Sequence, residues 1–163
     1  GDSLMARPNR RPQDVDAAIA CYQRARDMIP RETHAVEWSE CNAALGVAYS
    51  EREVEGNARE DSLDKAIECL TLAVPQFQTS PQQLAEVTDT LGTCYLERER
   101  GERPENLAQA IESFQKCLEI YTEAAFPEER AMVTEKLQTA YMEAAGLIED
   151  EAADDYADSG FYD

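Results

Sequence analysis

The chain has 163 residues, 43% hydrophobic and 30% charged, which suits one folded domain rather than a disordered chain. Lys and Arg number 15 against 34 Asp and Glu; a formal net charge of -19 excludes a nucleic-acid binder and an anionic membrane surface, and it steers in a partner with a basic patch. Five cysteines without a CxxC pair fit a reducing, cytoplasmic setting, and no apolar run approaches the ~20 residues of a membrane span or the h-region of a signal peptide.

Residues 1–12, with Arg7, Arg10 and Arg11, read as a flexible leader. The helical body is expected over residues 13–146. Val15, Ala18, Ile19, Tyr22 and Ala25 recur at helical spacing and predict a first helix, which Pro30 ends. Thr33 is the expected cap of a second helix that carries Leu45, Ala48 and Tyr49 and runs to Arg52. The polar stretch EVEGNARED follows. Ser62 is the expected cap of a third helix, bearing Leu63, Ala66, Ile67, Leu70 and Ala73 and fading near Pro75. Ser80, Pro81 and Gln83 read as a capping-box start for a fourth helix, ended near Gly101. The fifth spans Pro104 to Thr122. Pro127 opens a sixth, which fades around Gly146. Residues 147–163 form an acidic tail with Tyr156, Phe161 and Tyr162, expected to be disordered. No stretch sustains period-2 alternation, so no strand is predicted.

Two patterns repeat. VDAAIACYQRA, LDKAIECLTLA and LAQAIESFQKC form the first; AALGVAYSERE, DTLGTCYLERE and EKLQTAYMEAA form the second. Leu45, Leu91 and Leu137 stand 46 residues apart. Interleaved patterns at one period are the signature of a stacked helical array. Helices of this kind joined by short loops make antiparallel αα-hairpins.

These strings resemble the tetratricopeptide repeat. Its LGxxY helix is matched by LGVAY, LGTCY and LQTAY; its AxxxFxxA helix is matched at Ala18–Tyr22–Ala25, Ala66–Leu70–Ala73 and Ala110–Phe114–Cys117. The period is longer than the family's usual 34 residues, and Gln138 departs from its Gly. The chain looks like the long-repeat subclass of bacterial proteins linked to CHAT or nucleotide-binding signalling domains. The resemblance implies an all-α, right-handed superhelical solenoid of six helices. It implies a non-catalytic scaffold or adaptor that binds another protein or peptide in a concave groove. Carried onto this chain, the groove positions are Glu40, Val47, Glu51, Glu86, Asp89, Thr93, Leu96, Glu97, Met132, Glu135, Thr139 and Met142, with Ala43, Ser50 and Glu143 beside them. Acids dominate this set and no base occurs in it, so a basic or amphipathic peptide is the expected partner. The same acids also serve simply to solvate exposed helix faces.

Other signals weigh less. Residues 1–4 read GDSL, the nucleophile motif of a hydrolase family, but the DxxH of that family is absent because the lone His34 lies elsewhere. No Glu-x-x-His motif or calcium loop occurs, so no metal or cofactor is expected. The five cysteines read as small buried hydrophobes, and Trp38 as packed on the preceding helix. Self-association through open solenoid ends is the alternative to a monomeric adaptor.

Overall fold

A computed structural model describes residues 11–159. The GDSL string, the leader through residue 10, Phe161, Tyr162 and the side chain of Tyr156 lie outside the described residues. Among the described residues the chain forms six α-helices and one 3₁₀ helix, and no strand. The order is α1 (Pro12–Met28), α2 (Ala35–Ser50), α3 (Asn57–Ala73), the 3₁₀ helix (Val74–Thr79), α4 (Pro81–Glu97), α5 (Arg103–Ile120) and α6 (Pro127–Ser159).

The apolar periodicity located every α-helix but not the 3₁₀ helix, and several ends differ from the sequence expectation. Pro12 and Pro81 open α1 and α4, at positions where an N–H would have no intrahelical partner. Pro12 is therefore helical and not leader. Thr33 is not a cap: its hydroxyl lies 2.8 Å from His34 Nδ1, and His34 is the residue preceding α2. Ser62 is buried inside α3, which already starts at Asn57 after Gly56, whose φ of 57° suits a residue without Cβ. Ser80 precedes α4 without a side-chain capping bond. Gly101, at φ 85°, turns the loop beyond Arg98, the actual C-cap of α4. Pro75 breaks the α-helical ladder as expected, but the chain continues as a 3₁₀ helix because Phe77 is buried and ties that segment to the core. Gly146 does not end α6, whose backbone stays helical to Ser159.

Each helix packs on its neighbours in the chain. In addition α2 touches α4 and α4 touches α6, whereas no contact joins α1 to α3 or α3 to α5 among the described residues. The even-numbered helices thus form a continuous row and the odd-numbered helices stand apart on it. Val15, Ile19, Leu45, Leu63, Leu70 and Phe77 belong to one buried cluster; Phe114, Cys117, Tyr121 and Val133 belong to a second. Burying a side chain such as Phe114 contributes about 1.5–3 kcal/mol.

The two glycines of the repeated LG pair set the spacing between rows. A Cβ on Gly46 would fall 2.4 Å from Leu70 Cγ of α3, and one on Gly92 would fall 2.8 Å from Phe114 Cε1 of α5. The third repeat carries Gln138 there, and Gln138 is exposed because no described helix follows α6. The same logic explains Cys21. Its repeat equivalents Cys69 and Ser113 are buried, the latter beside Gly92 of the preceding even helix; among the described residues no helix precedes α1, and Cys21 is exposed. The expectation of five buried cysteines holds for Cys69, Cys94 and Cys117 only. Burial pushes the thiols of Cys94 and Cys117 up to about 12.

Arginines replace the missing caps. Arg59 Nη1 donates to the carbonyls of Ser50 (2.8 Å) and Arg52 (3.1 Å), and its Nη2 donates to Glu97. Arg103 repeats this on Leu96 (2.8 Å), Arg98 (3.1 Å) and Glu143. Arg130 closes α5 on Leu118 and Tyr121. A guanidinium suits the task because its planar fork satisfies two orphan carbonyls while its charge opposes the negative helix end.

A second pair of arginines ties the rows together. Arg52 Nε donates to Asp16 at 2.8 Å, and Arg98 Nε to Asp64 at 2.7 Å. Burial pushes the Asp64 carboxyl up, but hydrogen bonds from Arg98 and Arg100 outweigh it and hold the group below its ordinary value of 3.8. A depressed carboxylate contributes stability above its unfolded pKa, and that stability is lost as pH falls through the folded value. The stability gap between the parent and Asp64→Asn should therefore be full at neutral pH and should close below pH ~4. A gap that stays constant to pH 2 in denaturant titrations would show that these ion pairs contribute nothing.

Candidate functional site

The expected groove positions fall along the even row, on α2, α4 and α6 or just after them. Their availability differs sharply. Glu40, Glu51 and Glu135 are exposed, as are Met132 and Thr139; Met142 is 76% exposed. Val47, Thr93 and Leu96 are half-buried, and Ala43 is buried. Thr93 and Thr139 turn their hydroxyls back to the carbonyls of Asp89 and Glu135, which spends those donors within the helix.

Three of the acids are already engaged within the chain. Lys136 Nζ of α6 donates to both carboxylate oxygens of Asp89 on α4, at 2.8 and 2.9 Å. Glu97 is held by Arg59 and Glu143 by Arg103. These carboxylates fasten one repeat to the next. Glu86 is a different case: it is half-buried, burial raises its pKa, and its recorded side-chain partner is the neutral amide of Gln82 at 3.4 Å. A group of this kind gains from a cation brought to it.

Two acids without an ion pair among the described residues stand together at the start of α2. Glu37 and Glu40 line a cleft of about 380 Å³ whose other walls include Tyr22, Ile29, Cys41 and Phe77. Neither carboxylate has an ion pair among the described residues. Burial, followed by the charge of Glu40, raises the Cys41 thiol. Reading the repeats placed Glu40 here but missed Glu37 and the apolar walls. The walls come from α1, α2, the 3₁₀ helix and α4, and the 3₁₀ helix brings Phe77 to them. Trp38, one turn away, lies under the Arg31 guanidinium, 4.6 Å from ring centroid to Cζ.

A larger cleft of about 570 Å³ opens between the 3₁₀ helix, α4 and α5, walled by Val74, Leu84, Leu91 and Ile120. Its rim pair, Lys116 and Glu112, is closed on itself at 2.7 Å. Among the described residues no group of three or more His, Cys, Asp and Glu side chains is placed to hold a metal ion, and no helix is long and apolar enough to cross a membrane. No family model, curated protein or solved structure matches the chain.

Proposed function

We propose that the chain is a non-catalytic protein–protein interaction module of the tetratricopeptide type, working as a scaffold or adaptor in the cytoplasm. In this reading the six helices form a right-handed solenoid of antiparallel hairpins, with the even helices on the concave side. Contacts from α2 to α4 and from α4 to α6, without matching contacts along the odd row, support it. The glycine contacts at Gly46 and Gly92, repeated at one period, support it further.

The observation that carries the partner class is the cleft beside Glu40. Two carboxylates without an ion pair among the described residues line a cleft together with Tyr22, Ile29 and Phe77. Lys and Arg have matching chemistry, an aliphatic stem that packs on apolar walls and a cationic head that meets the acids. The partner is thus a basic or amphipathic peptide, steered in by the charge of -19. Glu86 and Glu135 extend the same field along α4 and α6, whereas Asp89 and Glu97 are committed to Lys136 and Arg59.

A Lys/Arg-rich amphipathic peptide titrated by calorimetry tests this. Affinity should fall steeply between low and high salt, because attraction across this field is screened over ~10 Å at 0.1 M. Reversal of Glu40, Glu86 and Glu135 to Lys should abolish groove binding with helicity unchanged, since none of the three has an ion pair to lose among the described residues. Salt-independent binding, or tolerance of the triple reversal, rejects the groove.

Self-association by continued stacking is the weaker reading. A second copy that seated an odd-type helix on α6 would meet the Gln138 side chain where Gly46 and Gly92 leave room for Leu70 and Phe114. Light scattering separates a stacked oligomer from a monomeric adaptor.

A further inference from the structure

We infer that the outer face of α6 is a second docking surface, distinct from the groove beside Glu40, and that its occupant is a basic amphipathic helix of another protein. Three observations carry this.

The first is an apolar strip that the described residues leave largely uncovered, although the Tyr141 hydroxyl accepts from Gln115 Nε2 of α5 at 2.7 Å. Tyr141 is 47% exposed, Met142 76% and Ile148 68%, and Ala145 between them is exposed. Spacings of i, i+1, i+4 and i+7 place these residues on one side of α6. In a water-soluble helix such a stripe is normally buried.

The second is equivalence within the repeats. Tyr49 is buried and Tyr95 half-buried at the positions that Tyr141 repeats, and the helices following them, α3 and α5, seat Leu70 and Phe114 against Gly46 and Gly92. What covers this position elsewhere in the fold is a helix. Gln138 alters the seat, so the helix that docks on α6 sits farther out than α3 or α5 and is not an in-register copy of either.

The third is charge. From Leu137 onward the sequence contains no Lys or Arg, while Glu143, Glu149, Asp150, Glu151, Asp154, Asp155 and Asp158 all lie on α6. Glu143 is paired with Arg103. In sequence the rest fall in the last turns of a helix whose own dipole is negative there, which disfavours the helical state. α6 is also 33 residues long against 18 for α5, its neighbour. A basic helix laid along this segment relieves the repulsion and covers the strip at once. A second copy of the chain brings the same charge and is repelled.

A designed amphipathic helical peptide, with Leu at i, i+3, i+4 and i+7 and Lys elsewhere, is a suitable probe, with oligolysine of equal charge as the control. Ala145→Asp and Ile148→Asp, neither of them a groove position, should together weaken the helical peptide about tenfold or more, with a nearly unchanged melting temperature because both side chains are exposed. The Glu40, Glu86 and Glu135 reversals should leave this site intact, so failure of one surface is distinguishable from failure of the other. Far-UV circular dichroism should show added helix on binding beyond the sum of the parts. Unchanged affinity in the Asp double variant overturns the proposal. Equal binding of oligolysine also overturns it, because charge alone would then suffice. A concentration-dependent dimer that the double variant abolishes would assign the strip to a second copy, and the proposal would fail.

Discussion

Gly92→Leu should melt well below the parent, and Gly46→Leu lower still. A leucine has the better intrinsic helix propensity, which by itself favours the variant by up to ~1 kcal/mol. Overpacking acts in the other direction. The first side-chain carbon at position 92 would already lie 2.8 Å from Phe114 Cε1 and 3.0 Å from Ser113 Cβ, before any branch is added. At position 46 the contact with Leu70 Cγ is 2.4 Å, and the Ala66 carbonyl at 3.2 Å is backbone that cannot rotate away. Both glycines lie where an even helix meets the next odd one, so relief requires separating two helices. Overpacking costs about 1–3 kcal/mol and at times more, and each kcal/mol lowers the melting temperature of a chain this size by roughly 2–4 °C. Gln138→Leu is the control: it changes the equivalent residue on an exposed face and should be near neutral. If Gly92→Leu melts with the parent, the register of the repeats is wrong.

Arg103→Met should destabilise by about 1–3 kcal/mol, because it strips charge-assisted bonds from the carbonyls of Leu96 and Arg98 and leaves Glu143 without its base. The arginine is 28% exposed and Glu143 43%, so the ion pair is partly screened and most of the loss comes from the orphaned carbonyls. Glu143→Gln should therefore cost much less than Arg103→Met. Arg103→Lys should fail to rescue, since a single ammonium cannot span two carbonyls and a carboxylate with fixed geometry. Arg59 performs the same task on Ser50 and Arg52, and Arg59→Met should behave alike. Thermal melting gives the magnitudes, and amide exchange over residues 97–103 should rise in Arg103→Met. A lysine variant as stable as the parent would show that the fork is dispensable.

The position of Glu37 illustrates why the candidate site was only half legible. Glu40 followed from its place in the repeat, counted from Leu45. The cleft itself depends on Phe77, in a segment that looked like a fading helix before Pro75 and became a 3₁₀ helix because its aromatic ring found the core. The acids were equally ambiguous. Asp89, Glu97 and Glu143 looked like groove charges, yet each is spent on a base 38 to 47 residues distant in the chain. One signal was available: Arg59 and Arg103 both stand four residues before the leading Leu of the first pattern, and Glu51, Glu97 and Glu143 all stand two residues after the repeated Tyr. Glu86, by contrast, kept its availability to a cation, because its neighbour is the neutral Gln82.

By itself the sequence determined that the chain is helical, how many helices its periodic body holds, and which side of each is buried. Apolar spacing near 3.6 encodes a buried stripe locally, and the recurrence of LG at 46 residues encodes where one helix approaches the next. Pro81 and Pro127 marked the starts of α4 and α6 in the sequence. Only the tertiary structure decided where α2, α4 and α5 stop, because those stop signals turned out to be arginines reaching back from the following helix rather than local caps. It also decided which charges are paired within the chain. Coulomb attraction has long reach and no sequence register, so partner choice waits for the helices to bring long side chains together. Exposure of Cys21, Gln138 and Met142 belongs to the same class: each occupies a repeat position whose burial depends on a neighbouring helix, and whether that neighbour exists is a property of the assembled rows, not of the residue.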